Sequence, residues 1–172
     1  MVKLILDADA SIKLSKISLI VVLSNAFEII LTKEVYEEQV VVWLKKGYSD
    51  AKRVETLVKS KKIGVKEVKS VYDDSKLGKG EKSVIDFCLS VGVELVVSDD
   101  EAFLKFLDGL SIPYTPVAGT ILMLVTHMRL TKEGGINYLC SLKDMVKDEH
   151  LFYIKRDLHK IVWVTLFTLC FI

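Results

Sequence analysis

The chain has 172 residues, of which 51% are hydrophobic and 27% are charged, and its formal net charge is +1. This composition is that of a globular domain and excludes a disordered protein, and the small net charge leaves nucleic-acid binding to a local basic patch. Three widely spaced cysteines without a CxxC pair argue against a zinc ribbon or disulfide framework, and favour a reducing, cytoplasmic compartment.

Short β-like runs alternate with longer helical patterns along the chain, which is typical of a parallel α/β sheet. The expected strands are residues 2–6, 27–31, 65–71, 94–97 and a short edge strand within the proline-bounded segment 111–116. The expected helices are residues 11–23, 33–46, 49–61, 81–90, 101–107, 117–129 and 132–146.

The last segment, 161–172, reads "IVWVTLFTLCFI" and is uncharged and apolar. It is too short to cross a bilayer as a helix, which needs about 20 residues. We therefore expect one domain over residues 1–160 and a tail, 161–172, packed on that domain or at a homodimer interface. A membrane anchor is disfavoured.

Acidic residues follow two of the expected strands. Asp7 ends the first apolar run, and Asp99 and Asp100 follow "ELVV". Because ligands of open parallel sheets bind beyond the carboxyl ends of the strands, these acids are predicted to lie at one rim of the sheet.

Two helices add a glutamate each to this rim. Glu81 lies on the same helix face as Val84, Ile85 and Cys88, so its carboxylate follows the apolar stripe that faces the sheet. Glu38 is flanked by valines in the same way, and it is a better candidate than Glu37 for a carboxylate that faces the sheet.

Each acid also has a purely structural interpretation. Asp9 or Ser11 could cap the first helix, Ser98 and Glu101 match a capping box, and Glu81 could favour a helix dipole. A cluster of carboxylates on one rim nevertheless needs a cation, since like charges raise one another's pKa. Oxygen-only ligation with open positions suits Mg²⁺ or Mn²⁺.

The order of these acids resembles the PIN-domain family, the nuclease fold of VapC-type toxins and RNA-processing proteins. The blocks that carry the resemblance span roughly residues 2–130 and read "LILDADASIKLSKI", "TKEVYEEQV", "LGKGEKSVIDFC", "LVVSDDEAFLKF" and, more weakly, "IPYTPVAGTILMLV". The resemblance implies a three-layer α/β/α fold with a central parallel sheet.

The resemblance also implies a catalytic and metal-binding set for Mg²⁺ or Mn²⁺. That set is Asp7, Glu38, Glu81 and the pair Asp99 and Asp100. Asp9 stands where relatives usually carry a small serine or threonine, so it is either a further metal ligand or a disturbance of the site. The implied activity is metal-dependent hydrolysis of single-stranded RNA, with an antitoxin protein as partner if the chain is a toxin.

Two other functions stay open at this point. One is a PIN-like domain that binds RNA or protein without cleaving it. The other is a haloacid-dehalogenase-like phosphatase with Asp7 as nucleophile and Asp9 as acid/base, although it leaves Glu38 and Glu81 without a role.

A local basic patch accompanies the acids. Residues 45–82 contain twelve Lys or Arg against six Asp or Glu, a local net charge of +6. We expect Lys45, Lys46, Lys52 and Arg53 to hold RNA phosphates, although a solvated surface would have the same composition.

Overall fold

The computed structural model describes residues 2–92 and 95–169, with side chains described up to residue 161. The chain divides into two compact units, Met1–Thr115 and Pro116–Ile172. All acids and basic residues singled out above belong to the first unit.

A five-stranded parallel sheet forms the centre of the first unit. The strands are β1 (Lys3–Leu6), β2 (Glu28–Thr32), β3 (Ile63–Lys66), β4 (Leu95–Val97) and β5 (Tyr114–Thr115). Their order in the sheet is β3-β2-β1-β4-β5. In the central strand, Ile5 lies opposite Ile30 of β2 and Val96 of β4. Leu4, Ile5 and Leu6 are completely buried, as expected for a strand covered on both faces.

Helices follow each strand, and the fold is the three-layer α/β/α arrangement expected from the sequence. The helices of the first unit are α1 (Ala8–Lys16), α2 (Leu19–Ala26), α3 (Lys33–Tyr36), α4 (Val42–Lys45), α5 (Ser49–Lys59), α6 (Lys79–Val91) and α7 (Glu101–Gly109). A π-helical segment, Glu37–Val41, joins α3 to α4. Helices α1, α2 and α5 contact one another, whereas α6 contacts α3 and β2.

Two predicted elements differ from their expected bounds. The helix expected over 11–23 is two helices, because Ser18 adopts a left-handed conformation with φ of 62° between α1 and α2. The strand expected over 65–71 stops at Lys66, which pairs with Thr32, the last residue of β2. Since β2 then turns into α3, residues 67–71 have no strand beside them to continue the ladder.

The second unit is helical. It contains α8 (Val117–Thr126), α9 (Lys132–Ser141) and α10 (Asp148–Leu169), which contact one another. The sequence did not predict the first turns of α10. A Cβ on Gly135 would lie 3.0 Å from Val125 Cγ2, so the absence of a side chain there lets α8 and α9 approach closely. The expected burial of tail side chains falls outside the described side chains and stays a prediction.

No helix of the described residues is long and apolar enough to cross a membrane.

Candidate functional site

Asp7 lies at the carboxyl end of β1, in the middle of the sheet. Its main-chain N–H donates to the Val97 carbonyl of β4 at 3.3 Å. Its Oδ1 accepts a hydrogen bond from the Ala10 N–H at 2.6 Å, which makes Asp7 the N-cap of α1. The expectation that Asp9 or Ser11 caps this helix is therefore wrong.

The environment of Asp7 opposes its ionisation. The residue is only 6% exposed, and burial raises its pKa from the usual 3.8 to about 7. Hydrogen bonds from Ser98 and from the Ala10 N–H act against this rise, whereas the charges of Asp9 and Asp99 add to it. A cation beside Asp7 would shift this balance toward the carboxylate, because it stabilises the charged form.

The two aspartates after β4 have different surroundings. The side chain of Asp99 is 7% exposed, and its Oδ2 lies 2.9 Å from Lys13 Nζ. Asp100 is exposed, and its Oδ1 accepts hydrogen bonds from the N–H groups of Ala102 and Phe103 at 2.8 and 3.0 Å. Asp99 is thus the member of the pair that lies near Asp7, and Asp100 has a structural partner at the start of α7.

The expected capping box of Ser98 and Glu101 is wrong, because the N-cap of α7 is Asp100. Ser98 has a different role at this rim. Its hydroxyl is completely buried, donates to the Asp7 carboxyl and accepts the Asp100 N–H at 3.1 Å. The hydrogen bond between Ser98 and Asp7 thus connects the end of β4 to the end of β1.

Lys13, which was not predicted as a site residue, lies among these acids. Lys13 Nζ lies 2.6 Å from Asp9 Oδ2 and 2.9 Å from Asp99 Oδ2. Burial lowers the pKa of Lys13, but the two carboxylates more than offset that effect and hold it above its usual 10.5. Lys13 is therefore a permanent positive charge among the acids.

The two glutamates lie around the first turn of α6. Glu38 is exposed in the π-helical segment, and its Oε2 lies 3.0 Å from the point that a Cβ on Gly80 would occupy. Glu81 follows Gly80 directly, and its Oε2 accepts a hydrogen bond from the Gly78 N–H at 2.7 Å. A side chain at position 80 would displace the Glu38 carboxylate, so glycine there leaves room for that carboxylate beside the first turn of α6.

A buried hydroxyl pair fixes this helix against the sheet. Thr32 Oγ1, at the end of β2, lies 2.6 Å from Ser83 Oγ of α6. Thr32 also caps α3 through the Val35 N–H. The start of α6 and the start of α3 are thus both anchored at the carboxyl edge of the sheet, next to the strand that ends in Asp7.

The donor set of this rim fits a hard divalent cation by its chemistry, since every candidate offers carboxylate oxygen. One buried oxygen, Oε2 of Glu34, has no hydrogen-bond partner among the described residues and lies one turn before Glu38. In the described part of the chain, however, no three His, Cys, Asp or Glu side chains converge as ligands of a single ion. The charges of Asp7 and Asp99 interact, whereas Glu38 lies beside Gly80 of α6, so a metal site shared by Asp7, Glu38, Glu81 and Asp99 stays a prediction.

The residues expected to hold RNA lie beside the π-helical segment. Lys45 at the end of α4, Lys46 directly after it and Lys52 on α5 are exposed, and α5 contacts the π-helical segment. Arg53 differs from them, because its guanidinium donates to the Ser15 carbonyl of α1 and so joins two helices. The patch therefore rests on the lysines.

An aromatic pair lies within the same patch. Trp43 and Tyr48 have ring centroids 4.9 Å apart, with their planes tilted by 45°. Tyr48 is 49% exposed. This pair was not predicted from the sequence, although aromatic side chains among lysines are typical of single-strand binding surfaces.

A buried aspartate holds the connection between β3 and α6. Asp86 is 5% exposed, and its Oδ1 accepts hydrogen bonds from the N–H groups of Val71 and Tyr72 at 3.2 and 2.7 Å. Asp86 is a buried residue of α6, and a charged residue that is buried needs such partners. Sequence reasoning did not select it.

Replacing Asp86 with alanine is expected to destabilise the protein by about 1–3 kcal/mol, because two main-chain donors lose their acceptor. Asp86→Asn keeps an acceptor oxygen and should lose much less. Urea unfolding measures the free energies, and hydrogen exchange at residues 71 and 72 reports the local effect. An alanine variant as stable as the parent would show that water satisfies these N–H groups equally well.

Comparison with known protein families gives a match over most of the chain. A family model described as PIN domain covers residues 3–164. A search of curated proteins finds no match.

Proposed function

Because the chain belongs to the PIN-domain family, whose fold is of the nuclease type, we propose that it is a metal-dependent ribonuclease acting on single-stranded RNA. The observation that carries the proposal is the buried carboxyl of Asp7, held next to Asp99 at the carboxyl edge of the sheet. Such an edge is where parallel α/β folds bind ligands. The match also assigns the chain to a different family from the haloacid-dehalogenase-like phosphatases.

The residues of the chain have distinct tasks in this proposal. Asp7 and Asp99 would hold the cation from the strand ends, and Glu38 and Glu81 would hold it from the helices, in part through water. A bound Mg²⁺ or Mn²⁺ supplies charge for the scissile phosphate and lowers the pKa of an attacking water. Ser98 and the Ala10 N–H orient the Asp7 carboxylate, so that its position does not depend on the substrate.

Substrate binding is assigned to the surface next to Glu38. Lysine ammonium groups neutralise phosphates without reading sequence, and an exposed aromatic ring stacks on unpaired bases. Lys45, Lys46 and Lys52 supply the first interaction, and Tyr48, supported by Trp43, supplies the second. Both favour single-stranded RNA, whose bases are accessible.

The proposal is tested with a labelled, unstructured RNA incubated with the purified protein in EDTA, in Mg²⁺ and in Mn²⁺. We expect cleavage only with a divalent ion, and little cleavage of duplex DNA of the same sequence. Cleavage that persists in EDTA would exclude the metal-dependent mechanism.

One observation favours the second function, a PIN-like domain that binds RNA without cleaving it. Lys13 already places a positive charge between Asp9 and Asp99. If the protein binds RNA but neither binds Mn²⁺ in calorimetry nor cleaves, this second function replaces the first. A toxin role and an antitoxin partner stay predictions; co-expression with the product of an adjacent small gene tests both.

The lysine patch gives a prediction of its own. Changing Lys45 and Lys52 together to glutamine should weaken RNA binding. It should also reduce the slope of the logarithm of the binding constant against the logarithm of salt concentration by roughly 1–2, because two phosphate contacts are lost. Fluorescence anisotropy at several salt concentrations measures both quantities. The matched control changes Lys132 and Lys143, in the second unit, to glutamine. Equal losses in both double variants would mean that only the total charge matters.

A further inference from the structure

The strongest feature that the proposed mechanism does not use is the ion bridge at Lys13. The ammonium lies 2.6 Å from Asp9 and 2.9 Å from Asp99. The side chain of Lys13 is 14% exposed and that of Asp99 is 7% exposed, whereas that of Asp9 is 56% exposed. The bridge therefore has a solvent-side partner and a buried partner.

The two contacts differ in their surroundings. A pair of charges attracts more strongly where water is excluded, so burial strengthens the charge interaction with Asp99, whereas the contact with the exposed Asp9 is shorter. Asp99 also lies close enough to Asp7 for their charges to interact. The Lys13 ammonium thus neutralises the same small group of carboxylates that a divalent cation would neutralise.

A divalent cation that binds these carboxylates competes with the Lys13 ammonium. It is repelled by the ammonium, and it must share Asp99 with Lys13 or displace Lys13 from it. Asp9 moderates that competition because it offers Lys13 a second carboxylate on the solvent side. This gives Asp9 a role through Lys13 and requires no contact between Asp9 and the metal.

We propose that Lys13 is a resident cation that competes with the divalent metal for Asp99, and that Asp9 weakens this competition by drawing the ammonium away. This inference rests on the proposed function, since it concerns the affinity of the same site for its metal. Lys13 and Asp9 are positioning residues here and not catalytic residues.

Calorimetric titration with Mn²⁺ tests the role of Lys13. Lys13→Gln should raise Mn²⁺ affinity about tenfold, the effect of removing one close opposite charge from a largely buried carboxylate. Lys13→Arg keeps the charge and should stay near the parent. Lys16→Gln makes the same charge change on the exposed end of the same helix and should alter affinity less than twofold. Unchanged or weaker binding by a folded Lys13→Gln variant would overturn the proposal.

Metal-free stability gives a second readout, independent of cleavage. In EDTA, Lys13→Gln should lower the melting temperature because Asp9 and Asp99 lose their common counter-charge, while Lys16→Gln should not. If Lys13→Gln melts as the parent does in EDTA, the ammonium does not hold these carboxylates in solution and the proposal fails.

A double-mutant cycle isolates Asp9. Asp9→Asn should weaken Mn²⁺ binding in the parent, and that effect should disappear in the Lys13→Gln background. Weakening of the same size in both backgrounds would mean that Asp9 ligates the metal directly, which overturns its proposed role.

The same titrations separate this inference from the proposed function. If the parent binds no Mn²⁺ but Lys13→Gln does, the metal-dependent function of the parent is wrong and the competition by Lys13 is supported. If neither protein binds Mn²⁺, both are wrong. If both bind equally and the parent cleaves RNA, only the inference is wrong.

Discussion

Asp7→Asn is expected to reduce RNA cleavage at least ~100-fold, since a neutral amide replaces the charged carboxylate of the proposed metal ligand. The fold should persist, because the amide oxygen can still accept the Ala10 N–H that begins α1. Cleavage is measured under single-turnover conditions with saturating Mg²⁺ or Mn²⁺, so that the rate constant reports the chemical step.

The control for this variant is Asp144→Asn, which removes the same charge from an exposed position in the second unit. It should cleave at the rate of the parent. Full activity in Asp7→Asn would exclude Asp7 from the catalytic site. Recovery of its activity at higher Mn²⁺ concentration would show that Asp7 acts in metal binding and not in the chemical step.

The stability of the metal-free protein should depend on pH because the Asp7 carboxyl is buried. Its pKa is about 7 in the folded protein and 3.8 in ordinary surroundings. Between these two pKa values, the Asp7 carboxyl is protonated in the folded state and ionised in the unfolded state. The free energy of unfolding therefore falls as pH rises through this window. The loss from this one group is about 4 kcal/mol at most, once pH exceeds 7.

Urea unfolding in EDTA at pH 5, 6, 7 and 8 measures this effect, and the Asp7→Asn variant isolates it. The variant should be more stable than the parent at pH 8, and its advantage should shrink toward pH 5. A constant difference between the two proteins across this range would mean that Asp7 ionises normally in the folded state.

The strand-end acids could be predicted from the sequence because the rules for parallel sheets are general. An apolar run that ends in Asp7 and another that ends in Asp99 must bring these residues to one edge if the two strands are parallel neighbours, as β1 and β4 are. The sequence could not distinguish Asp99 from Asp100. That distinction depends on which carboxylate turns back to cap α7, and both positions allow it.

The contacts of Lys13 could be predicted only in part. Its spacing of four residues from Asp9 is visible in the sequence and predicts a helix-surface ion pair. Its second partner, Asp99, lies 86 positions away and is reached only because β4 pairs with β1. Asp7 itself was expected as a ligand candidate and not as a helix cap, because the strand and helix boundaries could not be set to within one residue.

The π-helical segment between α3 and α4 has a geometric consequence for the whole surface. A π turn contains one residue more than a regular α turn, so every side chain beyond it is rotated by about 100° around the axis relative to a continuous α-helix. Glu38 belongs to this segment and Lys45 follows it. The direction of the Lys45 side chain relative to the side chains of α3 therefore depends on one inserted residue. Deleting one residue from the segment 37–41 would therefore turn Lys45 to a different side of the helix relative to α3.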